Sequence, residues 1–297
     1  AVTENQLKRD VRQAWYRLSY LKAKEGLLLY KDTIYGEALR ASTVRYEAEA
    51  TSLLEKTSAE TRSMETKNEL VSVRAEIAIA EQLLSSLLNS SSALTYEPPN
   101  LEPLVSSIAV DAATATNNPV LSATEQQLAV AKAERSVKIS RALPDRSVGY
   151  FNQSFIGSAT TDGGIATGSD RFSGVTVGVA VPLIFGSQVA EVKSARIKEQ
   201  MVSTNNSYYR KVIESELARQ QQAVQMYAKN LEYYRDSGLP QAEFIIDNAR
   251  KSFENGAIDY VEYFQGLDQA LKVKFNHLIA LNEYNQSVIG LEYLIGQ

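Results

Sequence analysis

The strongest constraint in this sequence is an apolar seam at heptad spacing that recurs four times. It steps by fours and threes through Leu7, Val11, Ala14, Leu18, Leu21 and Leu28, with Glu25 as one charged interruption. It runs again through Leu70, Val73, Ile77, Ala80, Leu84 and Leu87, and a third time through Ile213, Leu217, Gln220, Val224, Tyr227, Leu231 and Tyr234. The fourth copy is Tyr260, Phe264, Leu267, Leu271, Lys274, Leu278 and Leu281, again with one charged position. Residues at that spacing share one helix face and must be covered by another helix. Ala, Ser, Thr, Gln and Asn are interspersed along these helices. Apolar seams on two sides with small polar residues between suit a wall of helices better than a compact bundle. The expected fold is mainly α, with long antiparallel coiled-coil helices of the α-barrel type.

Composition removes whole classes of function. The 297 residues carry a net charge of −4, so the basic footprint of a nucleic-acid binder is missing and no such partner is expected. There are no cysteines, which excludes disulfides, thiolate metal sites and cysteine nucleophiles. The single histidine, His277, has no partner at metal-ligand spacing, and a solvated or interface position on its helix is the better reading. Met64, Met201 and Met226 are scattered and make no soft-metal site, so neither cofactor nor metal is expected. Trp15 and the 16 tyrosines read as interhelix packing rather than as a binding surface. The longest apolar run, Gly174 to Phe185, is too short and too broken for a membrane-spanning helix, which needs about 20 residues.

That run belongs to the one stretch where the period changes. Pro144 ends a helix and a strand-like segment follows, up to Ile156. A polar, glycine-rich stretch from Gly157 to Asp170 separates it from a second strand, Arg171 to Leu183. There Val175, Val177, Val179, Val181 and Leu183 point one way, and Gly174, Thr176, Gly178 and Ala180 the other. In a soluble sheet the aliphatic face would be core; in an outer-membrane barrel it would meet lipid. A lone hairpin is marginal in water, and no other strands lie near it in sequence. The hairpin, at about residues 145–184, is therefore expected to be completed by other chains.

A weak internal repeat accompanies these elements. An offset of 207 residues lays Tyr46–Ala50 on Phe253–Ala257, Glu55 on Glu262 and Leu84 on Leu291. The reading is a first, incomplete repeat over residues 1–92 (long helix, tip, helix) and a second over 93–297 that contains the hairpin. The first repeat's own leading helix and hairpin are expected upstream of Ala1.

Several stretches resemble the TolC-like outer-membrane efflux channel family. Asn118-Pro119-Val120-Leu121, with the Ala-rich helix through Ala131, Ala133 and Arg141 to Leu143-Pro144, resembles that family's helix leading into a barrel strand. Val181-Pro182-Leu183-Ile184-Phe185-Gly186 is similar to its strand exit. Leu239-Pro240-Gln241-Ala242, Ala249–Phe253 and Asn255-Gly256 resemble its approach to the periplasmic tip, and Leu291–Gly296 its repeat terminus. The resemblance implies a homotrimer in the outer membrane of a Gram-negative bacterium. Each chain would give strands to one shared β-barrel, and most of each chain would lie in the periplasm. It implies two partners, a periplasmic adaptor and an inner-membrane pump, with no chemistry of its own.

The candidate sites follow from the same reading. Asn255-Gly256, at a tip around 255–257, is a turn signal, and the resemblance makes it an adaptor-docking tip with Ala48-Glu49 as its counterpart. Glu262 and Gln265 match the family's pore constriction, where acidic residues ring the axis; here only Glu262 keeps the acid. Val175, Val177, Val179, Val181 and Leu183 form the expected lipid-facing strand. The alternative is a soluble periplasmic coiled-coil adaptor or scaffold, which explains the helices but poorly explains a valine-striped hairpin.

Overall fold

Prolines mark where the long helices stop. None occurs in the first two heptad segments; Pro119 opens a helix, Pro144 follows its end, and Pro240 opens another. The computed structural model describes residues 2–90, 101–104, 118–154, 156–157, 159, 163–165, 167–169, 171–181 and 186–296. Its elements run α1 (Val2–Glu47), α2 (Leu53–Leu87), α3 (Pro119–Arg141), β1 (Asp145–Ser154), β2 (Arg171–Ala180), α4 (Gly186–Tyr233), α5 (Leu239–Glu254) and α6 (Tyr260–Ile295). A π-helical turn, Tyr234–Gly238, joins α4 to α5. Pro240 has no N–H to give the Asp236 carbonyl, and the helix widens over the residues that lose that bond.

The chain divides into two compact units, residues 1–120 with 211–297, and residues 121–210. In the first, α1 and α2 pair antiparallel through the predicted seams. Leu18, Leu21 and Leu28 pack with Leu70, Val73, Ile77 and Leu84, all buried. Ion pairs flank the seam: Arg17–Glu76 at 3.4 Å, Glu25–Arg74 at 2.9 Å, Lys31–Glu69 at 2.8 Å and Arg45–Glu55 at 3.2 Å. Each such pair contributes at most about 1 kcal/mol, so they fix register while the buried seam supplies the stability. A second cluster joins Tyr35 of α1 to Ala242 and Ile246 of α5 and Phe264, Leu267 and Leu271 of α6.

The C-terminal part of α6 is enclosed on most sides, with Val288, Ile289, Leu291 and Leu294 buried. Close approach there depends on Gly290, where an added Cβ would lie 3.1 Å from the Gln220 side chain of α4. Asn285, fully buried, ties residues 101–104 to α6: its side chain accepts from Leu104 N at 2.8 Å and donates to Glu102 O at 2.9 Å. Asn118 caps α3 by accepting from Val120 N at 2.8 Å while donating to Leu294 O at 2.9 Å.

In the second unit α3 runs antiparallel to the start of α4. Ion pairs mark their register: Glu125–Arg210 at 2.8 Å, Glu134–Lys198 at 2.6 Å and Lys138–Glu191 at 2.8 Å. A buried Asn206 Nδ2 donates to Thr124 Oγ1 at 2.9 Å. The strands β1 and β2 pair antiparallel from Asp145↔Ala180 to Ser154↔Arg171 and are the only sheet among the described residues.

Candidate functional site

The two helix hairpins of the first unit end in turns built alike. α1 ends with Glu49 N donating to Tyr46 O at 3.0 Å and Ala50 N to Arg45 O at 2.7 Å. α5 ends with Gly256 N donating to Phe253 O at 3.0 Å and Ala257 N to Ser252 O at 2.8 Å. Both are Schellman turns, which need a left-handed residue; Glu49 supplies it at φ +56° and Gly256 at φ +69°. The next helices also start alike. Ser52 accepts from Glu55 N, and Asp259 accepts from Glu262 N at 2.9 Å while Glu262 accepts from Asp259 N at 3.3 Å, a complete capping box. Turns and caps stand 207 residues apart. So do Asn89 and Gly296, left-handed residues at φ +51° and +79° after α2 and α6.

A groove of about 870 Å³ opens between these turns, lined among others by Arg45, Glu55, Phe253, Gly256, Asp259 and Tyr260. Phe253 stacks on Tyr263 at 4.6 Å between ring centroids, and the Arg45 guanidinium lies 5.7 Å from the Phe253 ring. Glu262 and Gln265 are exposed on the first turns of α6. The Glu262 carboxylate is held by its capping box and stays in contact with water.

Further along, one carboxylate ties three helices. Asp268 of α6 accepts a hydrogen bond from the Tyr35 hydroxyl of α1 and pairs with the Arg62 guanidinium of α2. Arg62 also lies 4.9 Å over the Phe264 ring. Burial, reinforced by the bond to Asp268, pushes the Tyr35 phenol well above its usual range, so it stays a donor. The sequence reading did not single out this cluster, because its members lie 206 and 233 residues from Asp268. His277 is half-buried, edge-on to Tyr234 at 5.7 Å between centroids, and burial lowers its pKa.

The hairpin has two unlike faces. Register places Val148 opposite Val177, Tyr150 opposite Val175 and Arg146 opposite Val179. Val175, Val177, Val179 and Val181 are 52–75% exposed, and Val148 and Tyr150 join their face at 78% and 69%. Arg146 stands within this face opposite Val179, and Asn152 with its partner Ser173 closes the apolar band on the loop side. Leu183, the last member of the expected lipid-facing set, lies outside the described residues, as does Pro182. The opposite face carries Ser147, Phe151, Phe172 and Thr176 among glycines.

Among the described residues there is one hairpin, with an exposed apolar band, and the long paired helices end in two tips built alike. Residues 112–297 match the family described as outer membrane efflux protein, and the chain belongs to that family. No curated protein matches it. Among solved structures it is similar to a membrane protein from Pseudomonas aeruginosa, with TM-score 0.82 and 16% identity over 99% of this chain and 68% of that one. The outer-membrane channel OprN gives TM-score 0.81 and 17% identity over 98% and 66%. The outer membrane protein VceC from Vibrio cholerae gives TM-score 0.79 and 14% identity over 98% and 70%. At these identities the likeness establishes the fold. The chain spans about two thirds of the length of these proteins.

Proposed function

We propose that this chain is a subunit of a passive export conduit in the outer membrane of a Gram-negative bacterium. It would serve a tripartite efflux or type I secretion system as a homotrimer, with most of each chain in the periplasm. One observation carries the reading: the hairpin's valine band is solvent-exposed in the isolated chain. A soluble scaffold would bury such a band, whereas a barrel shared between copies would turn it to lipid.

The wall of helices has a matching feature. α2 buries one seam against α1 and leaves a second seam open, with Met64, Val71, Ile79 and Leu83 53–70% exposed. A neighbouring copy would cover it. We take residues 1–92 and 93–297 as two structural repeats, supported by the turns and caps recurring at one offset. The groove, lined in part by Gly256, would receive an adaptor's helices together with the turns at Asn255-Gly256 and Ala48-Glu49. Glu262 from three copies would ring the axis, with Gln265 beside it. Export energy would come from the inner-membrane pump.

In this scheme the Tyr35–Asp268–Arg62 cluster holds the tip closed. Each partly exposed pair is worth about 1 kcal/mol. If the three copies open together, their loss shifts the equilibrium by about a hundredfold. The test is conductance of the intact protein in a planar bilayer: low for the unaltered channel and raised by Asp268→Asn. A protein that stays soluble without detergent and never conducts would instead be the periplasmic scaffold.

A further inference from the structure

The face of the hairpin opposite the valines is uneven in bulk. Ser147 pairs with Gly178, Thr176 with Gly149 and Phe151 with Gly174. Each longer side chain folds over its glycine. A Cβ on Gly178 would sit 2.6 Å from Ser147 Oγ, one on Gly149 2.7 Å from Thr176 Oγ1, and one on Gly174 2.7 Å from Phe151 Cζ. At such separations the facing side chain would have to shift, so glycine at all three positions lets Ser147, Thr176 and Phe151 lie across the sheet as they do. The surface is thin as a result, except where Phe151 and Phe172 stand. These two are diagonal neighbours near the loop end, since Phe172 pairs with Gln153 two residues beyond the Phe151–Gly174 pair. They are 41% and 53% exposed. From Ser147 to Gln153 and from Phe172 to Ala180, this face carries no charged residue.

The inference rests on the channel reading above, in which this face lines the lumen. We propose that Phe151 and Phe172 of each copy form an aromatic collar near the outer mouth, a weak transit site for ring-bearing cargo, neutral or cationic. Exposed rings offer no charge, but their π faces attract other rings and desolvated organic cations. Among the described residues of this face, a hydrated metal ion finds no carboxylate, imidazole or thioether from Ser147 to Gln153 or from Phe172 to Ala180. In a trimer six rings would stand around the path, above a wall that glycines keep thin.

The test is block of KCl current through the intact channel by two bulky cations of similar size. Tetraphenylphosphonium should block at about fivefold lower concentration than tetrabutylammonium, which has no rings. The Phe151→Ser/Phe172→Ser double variant should erase that difference, and Phe151→Tyr/Phe172→Tyr should keep it. Equal block by the two cations in the unaltered channel, or a difference that survives the serine variant, overturns the collar. Cysteine labelling separates this from failure of the channel reading. A membrane-impermeant maleimide that labels Thr176→Cys and spares Val177→Cys upholds the barrel whatever the block experiment gives. Equal labelling of both positions sinks barrel and collar together.

Discussion

Glu49 holds a left-handed backbone where the other tip uses Gly256. For a residue with a Cβ that conformation costs about 1 kcal/mol, because the Cβ crowds the following carbonyl. At Gly256 an added Cβ would meet nothing within 4 Å, so only the backbone term operates there. Glu49→Gly should therefore raise stability by about 1 kcal/mol and Gly256→Ala lower it by about the same. Thermal unfolding followed by circular dichroism measures both. A much larger loss for Gly256→Ala would mean that the turn packs against something in the assembly. Asn255-Gly256 is legible in sequence because glycine advertises a left-handed turn. Glu49 advertises nothing, and only the internal repeat points to it. Asp268 is less legible still: helix spacing rules reach three or four residues along the chain, and its partners come from two other helices.

At the scale of elements, the hairpin is half legible. β2 alternates Val175, Val177 and Val179 with small residues, so its faces can be read without a structure. β1 cannot be read that way, because Tyr150 and Phe151 put an aromatic ring on each face and Arg146 falls on the valine side. Only pairing with β2 assigns them. The assignment places Tyr150 at the edge of the apolar band, where aromatic girdles of membrane barrels sit. It also makes a paired prediction at adjacent positions. Val177→Lys should destabilise the inserted barrel by about 2–4 kcal/mol, as a cation on a lipid-facing strand does near the bilayer midplane. Thr176→Lys should be tolerated and should alter conductance instead. Urea unfolding from liposomes reads the first and bilayer recording the second. The reverse pattern would place lipid on the wrong face. The helix seams were legible for a simpler reason: heptad spacing reports burial directly, and Leu70 through Leu84 are buried as spaced.

For the whole molecule, the question is whether Glu262 acts as a local cap or as part of a ring around a pore axis. Within one chain its carboxylate completes the capping box that starts α6. In the proposed trimer three such carboxylates would face a narrow wet space and favour cations there. Glutamine separates the two roles, because its side-chain oxygen still accepts from the Asp259 N–H while the charge is gone. With Glu262→Gln, helix content should stay unchanged, and the reversal potential under a KCl gradient should move most of the way toward zero. Wild-type selectivity should itself weaken as salt rises, since the Debye length falls from about 10 Å at 0.1 M to about 3 Å at 1 M. If selectivity survives the substitution, the charge ring lies elsewhere. If helix content drops, the cap is the residue's principal role. A carboxylate that serves both roles leaves the fold intact and the ion preference lost, because a hydrogen bond needs only the oxygen while the pore potential needs the charge.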